Sequence, residues 1–416
     1  MAESTTYDVI VVGAGIMGSS AAYQTAKRGQ KTLLLEQYDF LHNRASSHGE
    51  SRTIRASYTT HIYMPMVMES AKLWEQAQDE VGYQVYHKAK HLDLGPSDAP
   101  GLNRIIQNLR HHNPPTTPID YKILNPRELK EKFSGSVHVP DDWIGVVSSV
   151  GGIIKATKAV SMFQTLAVKN GATLRDNTEV IKICKERGMV EVRAANGKVY
   201  RGRKCIVTVG AWMTRLLEQS GVKDVPIQPL EVFLCYWKVR PGLEEKFSLK
   251  GPTPFPTIAT YGYPRIYGTP CYEYPGLFKA CLHEGQPCNP NVRNWRHKQD
   301  PTSVELLKGL VRDLSNGMIE SDRPASTTSC MYSVTPDEDF IIDFVGGSQF
   351  GKDVVIAGGF SGHGFKMGPV IGRILADLAI TGDAKNVNLP YFSLERFKRN
   401  PKGNNKDFIH VGKANL

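Results

Sequence analysis

A glycine-rich turn near the N-terminus constrains this chain more than any other feature. The β-branched run at 7–12 (YDVIVV) meets Gly13, Gly15 and Gly18 in the spacing GxGxxG, and a helix-like segment and a second apolar run ending at Glu36 follow. These are the parts of a dinucleotide-binding unit, in which the glycines allow a tight turn, close approach of a pyrophosphate and close helix packing. The sequence therefore predicts an α/β, Rossmann-like nucleotide site, with Glu36 on the ribose hydroxyls and two further residues in the turn, Ile16 and Met17.

A second glycine-rich turn lies near the other end of the chain. The strand-like run at 352–357 (KDVVIA) leads into GGFSGHGFKMGP and then into a helix-like segment, VIGRILADLAITG. Because the first turn of a helix has unpaired N–H groups and a partial positive charge, such a turn suits an anion or the edge of an electron-rich ring. We therefore expect cofactor contacts from this turn, at Gly362, His363, Gly364 and Lys366.

The segment after Glu36 favours a flavin over a nicotinamide. Instead of continuing as regular strand–helix alternation, the chain enters a polar loop that contains Ser47, His48, Arg52 and Arg55. Much later, GKVYRGRKCIVTVGAW predicts a hairpin and a strand that ends in a glycine turn, of the kind with which many flavoproteins close over the nucleotide. Taken alone, this pattern is equally consistent with an ordinary strand followed by a turn. For Arg52 taken alone, an exposed surface charge is the simpler interpretation.

Composition excludes several other classes of protein. The formal charge is +10, but Lys and Arg are scattered and do not alternate with aromatic residues, so no nucleic-acid partner is expected. The seven cysteines form neither a disulfide framework nor a CxxC metal site, so no metal is expected. Without a basic leader or an apolar run of about 18 residues, the sequence favours a soluble intracellular protein with reduced thiols and no membrane partner.

Five motifs together carry a resemblance to a known family. GAGIMG, HGESRTIR, GLFKACLHEG, CMYSVTPDEDFIID and GGFSGHGFK resemble the sarcosine oxidase family of flavoenzymes over nearly the whole chain, above all its monomeric sarcosine oxidases and peroxisomal sarcosine and pipecolate oxidases. The resemblance implies FAD, a small amino acid substrate, O₂ as the oxidant, H₂O₂ as a product and a monomer. It also implies covalent flavin, with Cys330 forming a thioether to the 8α-methyl group.

The strand-like segments between the motifs fit an antiparallel sheet that covers the flavin. Because they alternate with the nucleotide-binding segments, the two domains are expected to be discontinuous. The predicted FAD-binding domain comprises residues 1–90, 149–224 and 321–416, and the predicted substrate domain comprises residues 91–148 and 225–320.

The resemblance also assigns residues to the oxidation of a secondary amino acid. Arg55 and Lys366 would hold the substrate carboxylate, because arginine binds it through two parallel bonds and lysine acts as a point charge. Arg52 and His48 would lie nearer the flavin. Aromatic faces help to hold an amine or a developing iminium, and the resemblance offers Tyr332 and Tyr267, although Tyr267 could equally be core packing.

Two further residues lie on the strand-like run LFKACLH. By resemblance, Lys279 would stabilise the superoxide anion as oxygen is reduced, and His283 would tune the amine or anchor the substrate, although a lone histidine is more often structural. Bacterial relatives have glycine and tyrosine where this chain has Cys281 and Leu282. The pocket wall is therefore expected to differ, which leaves sarcosine, pipecolate, N-methyltryptophan, proline and glycated amino acids open as substrates.

Other interpretations use the same N-terminal fingerprint. The chain could also be an NAD-dependent amino acid dehydrogenase or a non-catalytic nucleotide-binding protein, but neither hypothesis gives Cys330 and the GHGFK turn a function. The last three residues, Ala-Asn-Leu, resemble a peroxisomal address read by an import receptor, although so short a match also arises by chance. An enzyme that releases H₂O₂ belongs beside catalase, so we expect a peroxisomal protein.

Overall fold

The computed structural model describes residues 6–112, 118–251, 253–292 and 301–406. In this part of the chain the strands are β1 (Thr6–Val12), β2 (Thr32–Leu35), β3 (Arg52–Arg55), β4 (Tyr86–Pro96), β5 (Tyr121–Leu124), β6 (Trp143–Ile154), β7 (Thr173–Arg175), β8 (Val180–Glu186), β9 (Met189–Ala194), β10 (Val199–Val207), β11 (Gln228–Lys238), β12 (Thr257–Thr260), β13 (Ile266–Thr269), β14 (Leu277–Leu282), β15 (Gln286–Pro287), β16 (Ser326–Val334), β17 (Ile341–Gly346) and β18 (Gly351–Gly358).

The helices of the described residues are α1 (Ile16–Lys27), α2 (Tyr63–Val81), α3 (Pro100–His111), α4 (Pro126–Lys132), α5 (Ala156–Lys169), α6 (Met213–Gln219), α7 (Pro301–Leu314), α8 (Gly347–Phe350), α9 (Gly368–Thr381), α10 (Leu389–Phe392) and α11 (Glu395–Arg399). Short 3₁₀ turns occupy Gly210–Trp212, Glu244–Phe247 and Phe365–Met367. Within the described ranges, none of the helices combines the length and apolar character that a membrane crossing requires.

The first sheet carries the predicted nucleotide unit. Its strand order is β17-β18-β10-β1-β2-β7, with the β8–β9 hairpin extending from β10, and the run from β18 to β7 is parallel. The central strands are almost continuously apolar, as expected for a parallel sheet covered on both faces. The predicted strands, the hairpin before residue 207 and both glycine-turn helices are confirmed.

The second sheet is larger and mainly antiparallel. Its order is β15-β11-β14-β13-β12-β4-β6-β3, with β16 beside β11 and β5 beside β6, and β4 pairs with β12 in parallel. β3 lies inside the segment that the sequence predicts to be a polar loop, and that prediction is wrong at 52–55 because β3 pairs with the edge of β6.

The domain boundaries remain a prediction, but the second sheet includes four segments that these boundaries assign to the FAD-binding domain: β3, residues 86–90 of β4, residues 149–154 of β6, and β16. The physical reason for β16 is its pairing with β11 in an unbroken register from Gln228 opposite Val334 to Tyr236 opposite Ser326. The strand that carries Cys330 is thereby fixed to the sheet that carries Lys279.

Candidate active site

A first cavity lies at the carboxyl ends of β1 and β2. Four predicted cofactor residues line it, namely Gly13, Gly15, Glu36 and Ser47, whereas Ile16, Met17 and Gly18 are buried in the first turn of α1 and do not line it. Glu36 accepts a hydrogen bond from the Ala14 amide at 2.8 Å, and the Ser47 hydroxyl accepts one from the Ile16 amide at 3.1 Å. The turn is thus held from both sides, by the end of β2 and by the polar loop.

The glycine turn leaves no room for side chains. Gly13 has φ +94, and a Cβ atom there would lie 2.7 Å from the Thr208 carbonyl oxygen. A Cβ atom on Gly18 would lie 1.8 Å from the Gly13 carbonyl oxygen. Glycine at these positions is therefore required by the backbone itself, as the dinucleotide fingerprint predicts.

Arg52 lies at the boundary between the first cavity and a second one. Its guanidinium donates hydrogen bonds to the carbonyl oxygens of Ser51, Ser46 and His48 at 2.6, 2.8 and 2.8 Å, and it lies 3.6 Å from the Cys330 sulfur. The simpler interpretation of Arg52 as an exposed surface charge is therefore wrong. Ser46 lines the first cavity, while Arg52 and Cys330 line the second, so the loop that Arg52 organises forms the boundary between them.

The second cavity brings together most of the predicted catalytic residues. It holds ≈ 1330 Å³ of empty space including its open mouth, which is ample for a flavin ring and a small amino acid. Of the eight predicted catalytic residues, His48 does not line it, whereas seven do: Arg52, Arg55, Tyr267, Lys279, His283, Tyr332 and Lys366. Among the predicted cofactor residues of the second glycine turn, Gly362, His363 and Lys366 line it and Gly364 does not.

Lys366 is held by a directional chain of hydrogen bonds. Its ammonium donates to the Tyr58 hydroxyl at 3.1 Å, and the Tyr58 hydroxyl lies 3.2 Å from His363 Nδ1. His363 Nε2 lies 3.0 Å from the Glu338 carbonyl oxygen, which can only accept, so Nε2 carries the proton. Burial and the nearby Lys366 hold the pKa of His363 well below its usual value. His363 is therefore neutral, Nδ1 accepts from Tyr58, and the Tyr58 oxygen is left to accept from Lys366.

Arg55 lies beside the same tyrosine. Its guanidinium lies 4.8 Å from the Tyr58 ring centre and 6.0 Å from that of Tyr261, and it donates a hydrogen bond to the Ser57 carbonyl oxygen. Burial and the charge of Arg55 together place the pKa of Lys366 well below its usual value. Arg55 and Lys366 thus lie in one cavity, and an anion bound there would favour the protonated, cationic form of Lys366.

An aromatic and imidazole group occupies another wall of the second cavity. The Tyr332 hydroxyl lies 3.3 Å from His283 Nδ1, and the Tyr267 ring meets the His283 ring edge-on at 6.3 Å. Burial, reinforced by the cation Arg265, holds the pKa of His283 well below its usual value, so the ring stays neutral. Burial also raises the pKa of both tyrosines, which keeps their hydroxyls protonated.

Lys279 is a buried cation on β14. It is 2% exposed, and its ammonium donates to the Ser51 hydroxyl at 3.1 Å and to the Ser51 carbonyl oxygen at 3.3 Å. It also lies 5.8 Å from the Tyr236 ring centre. No carboxylate of the described residues forms an ion pair with Lys279 within 4.0 Å, although the partly buried Glu273 interacts with its charge at longer range.

Known proteins with similar sequences match this chain along most of its length. Residues 8–378 match the FAD dependent oxidoreductase family. A "Probable sarcosine oxidase" of Arabidopsis thaliana is 51% identical over 97% of this chain and 95% of its own. The "Peroxisomal sarcosine oxidase" of Homo sapiens is 34% identical over 95% of this chain and 97% of its own.

The chain belongs to the sarcosine oxidase family of FAD-dependent oxidoreductases. Its fold is also similar to that of NikD, described as an unusual amino acid oxidase, with a TM-score of 0.79, 24% identity and coverage of 94% of this chain and 98% of NikD. A member of the sarcosine oxidase family is a flavin-dependent amine oxidoreductase, so the NAD-dependent dehydrogenase and the non-catalytic nucleotide-binding protein are not favoured.

The residues around both cavities fit the FAD that the sarcosine oxidase family requires. A Cβ atom on Gly15 would lie 3.0 Å from the Ser47 hydroxyl, so glycine keeps the backbone open where a pyrophosphate approaches. The Cys330 sulfur lies 4.0 Å from the Ser46 carbonyl oxygen, at the boundary between the first cavity and the second. Gly13, Gly15, Glu36 and Ser47 would hold the nucleotide, and FAD would supply the acceptor for a hydride.

Several residues of the second cavity were not identified from the sequence. Tyr58 and Tyr261 contact the cations, His91 lies in the wall, and Ser51 holds Lys279. Tyr58 follows Arg55 by three residues, a local signal that could have been used, whereas Tyr261 and His91 come from strand segments with no distinguishing pattern.

Proposed function

We propose that this oxidase acts on a small secondary amino acid, with sarcosine and L-pipecolate as the leading candidates, and passes the electrons to O₂. The observation that carries the proposal is the convergence of two carboxylate-binding cations, Arg55 and Lys366, with the neutral group of Tyr332 and His283 in one cavity beside Cys330. The substrate is oxidised to an imine, which hydrolyses to an aldehyde and an amine when the substrate is N-methylated.

Different residues of the second cavity bind the carboxylate end and the amine end of the substrate. Arg55 and Lys366 bind the carboxylate and fix its orientation, because charge-assisted bonds are both strong and directional. Tyr332 and Tyr267 face the amine with π-electron density, which favours a positive charge developing on nitrogen. The neutral His283 adds no positive charge beside an amine that must lose its proton before it is oxidised.

A panel of amines in a peroxide assay tests this function. Sarcosine, L-pipecolate, L-proline and N-methyltryptophan should differ in H₂O₂ production, and at least one of them should be oxidised rapidly. The amide of the best substrate should be a poor substrate, because it cannot form the charge-assisted bonds to Arg55 and Lys366. Equal turnover of acid and amide, or no peroxide from any secondary amino acid, would contradict the proposal.

Covalent attachment of FAD through Cys330 is part of this proposal. The thiol is 3% exposed and lies 3.6 Å from Arg52, and it reaches the boundary that the flavin would cross. After acid precipitation of the wild-type protein, the yellow colour should remain in the pellet. Cys330→Ala should release it to the supernatant, whereas Cys235→Ala, at a buried cysteine outside both cavities, should not. Complete release of FAD from the denatured wild type would show that the proposed thioether is absent.

We also propose that the enzyme is delivered to peroxisomes by an import receptor that reads the last three residues. The human relative is named a peroxisomal protein, and the terminal Ala-Asn-Leu resembles the Ser-Lys-Leu type of address. These three residues lie outside the described part of the chain. A fluorescent reporter that ends in residues 405–416 should enter peroxisomes, whereas the same reporter without the last three should stay in the cytosol. Identical distributions of the two reporters would count against the proposal.

A further inference from the structure

His91 and Asp93 form a buried polar pair on β4. Both side chains are 0% exposed. His91 Nε2 lies 3.1 Å from Asp93 Oδ1, and His91 Nδ1 lies 2.8 Å from the Thr257 hydroxyl on β12. None of the steps proposed above uses either residue, although a buried ionisable pair is costly and calls for an explanation.

The protonation states of the pair follow from its hydrogen bonds. Burial lowers the pKa of His91, so the ring is neutral. Burial alone would raise the pKa of Asp93, but His91 and Arg55 outweigh it and hold that pKa below its usual value. A carboxylate can only accept, so His91 Nε2 carries the proton and Nδ1 accepts from Thr257. The pair therefore carries one net negative charge.

This negative charge lies close to the substrate-binding cations. His91 lines the same cavity as Arg55 and Lys366. Between β3 and β4, strand β6 has Gly151, and a Cβ atom there would lie 2.8 Å from the His91 amide nitrogen and from the Ala89 carbonyl oxygen. Gly151 is the register partner of Arg55. Glycine at this position thus lets β4 approach the strand on which Arg55 is placed.

Asp93 interacts with Arg55 electrostatically at longer range and not through an ion pair. The described residues contain no contact between these two charged groups within 4.0 Å, and Asp93 Oδ2 has no hydrogen-bond partner among them. The Tyr261 hydroxyl, whose ring lies 6.0 Å from the Arg55 guanidinium, also has no such partner in the same ranges. Tyr261 follows the end of β12 and its amide donates to the Leu94 carbonyl oxygen at 2.7 Å, so it lies beside Asp93. Burial alone would lower the pKa of Arg55, but Tyr261, Asp93 and Tyr58 outweigh it and raise that pKa.

We propose that Asp93, oriented by His91, is an internal counter-anion to Arg55 that limits the affinity of the cavity for carboxylates. This inference rests on the proposed carboxylate-binding role of the two cations. Asp93 is a positioning residue, because it acts through Arg55. It stabilises the charge of Arg55 in the absence of substrate, and it competes electrostatically with any carboxylate that enters.

The test is the binding of propionate, a carboxylate without an amine to oxidise, to the FAD-loaded enzyme. The perturbation of the flavin absorption spectrum gives the Kd. Asp93→Asn should bind propionate about tenfold more tightly or better, because the ligand no longer competes with the Asp93 carboxylate for the charge of Arg55. Turnover of the amino acid substrate should fall at the same time, because Arg55 is less firmly placed. A merely structural role would instead weaken propionate binding or leave it unchanged, and either result would overturn the inference.

Asp337→Asn is the matched control. Asp337 is also a buried carboxylate, but it lies outside the cavity, with its oxygens bonded to Arg396 at 2.7 and 3.2 Å. This variant should lose stability without a change in propionate affinity beyond about twofold. If Asp337→Asn tightens propionate binding as much as Asp93→Asn, the effect is not specific to Asp93 and the inference fails.

A double-mutant cycle covers the case in which Asp93→Asn folds poorly. Removing Arg55 as well should restore stability, because the uncompensated buried cation is then gone. Arg55→Gln/Asp93→Asn should therefore yield more soluble, FAD-loaded protein than Asp93→Asn alone, and strictly additive losses would overturn the inference. Failure of the wild type to bind propionate would overturn the proposed carboxylate site too, whereas normal wild-type binding with unchanged Asp93→Asn affinity overturns only this inference.

Discussion

Lys279→Met should slow the recolouring of the substrate-bleached enzyme in air by as much as about 10³-fold. A unit charge about 4 Å from a nascent superoxide anion, at an effective dielectric constant of about 20, contributes up to about 4 kcal/mol. At about 1.4 kcal/mol per decade, its removal corresponds to that factor. Lys279 is buried and bonded to Ser51 without a carboxylate partner within the described residues, so its charge remains available to an anion.

Rapid-mixing spectra of the two half-reactions measure this effect directly. Anaerobic bleaching by substrate should remain close to the wild-type rate, whereas recolouring on mixing with aerated buffer should be slow. Lys238→Met is a suitable control, because Lys238 is on the adjacent strand β11, is 54% exposed and forms an ion pair with Glu320. If Lys279→Met recolours at the wild-type rate, oxygen is activated elsewhere, and if only bleaching is slowed, Lys279 acts on the amine.

Arg55→Gln should raise the KM for the amino acid substrate by about 10- to 150-fold without loss of FAD. Hydrogen bonds to charged groups contribute about 1.5–3 kcal/mol, which corresponds to this range. Arg55 lies in the second cavity and has no contact with the glycine turn of the first cavity among the hydrogen bonds of the described residues. The flavin absorbance per protein should therefore stay at the wild-type level.

Arg265→Gln is the matched control for this second prediction. Arg265 lines the same cavity, but its guanidinium already lies 3.8 Å from the Glu338 carboxylate. Its neutralisation should therefore change the KM much less than Arg55→Gln does. If both variants raise the KM equally, the cavity attracts the carboxylate through its overall positive charge, and Arg55 has no special role.

The parts of the molecule with a local sequence pattern could be predicted from the sequence. The strand, glycine turn and helix around Gly13 and around Gly362 could be predicted because each unit is formed by consecutive residues, with glycine where the turn requires it. Family resemblance then supplied Arg55, Lys279 and Lys366, and the structure places all three in one cavity. Their chemical roles remain predictions.

The remaining features depend on contacts between distant segments. Arg52 looks like a surface charge because the loop carbonyl oxygens that it binds have no sequence signature and its contact with Cys330 spans 278 residues, and Tyr58 meets His363 across 305 residues. β3 is too short and polar to be recognised as a strand without its neighbour β6. The His91–Asp93 pair lies in an alternating segment whose polar residues suggest a solvent-facing surface, whereas the fold buries them.

The order of strands in the first sheet determines which segments must be synthesised before the cofactor site can form. β1 precedes every other strand of this sheet along the described chain, yet it lies between β2 and β10, and β10 pairs in turn with β18 at 351–358. Cys330 and the second glycine turn are also late segments of the chain. An N-terminal fragment would therefore expose one long side of its nucleotide-binding sheet and could not enclose a flavin. Synthesis must therefore pass β18 and the second glycine turn before a flavin can be enclosed, so a shortage of FAD would act on chains that already contain these segments.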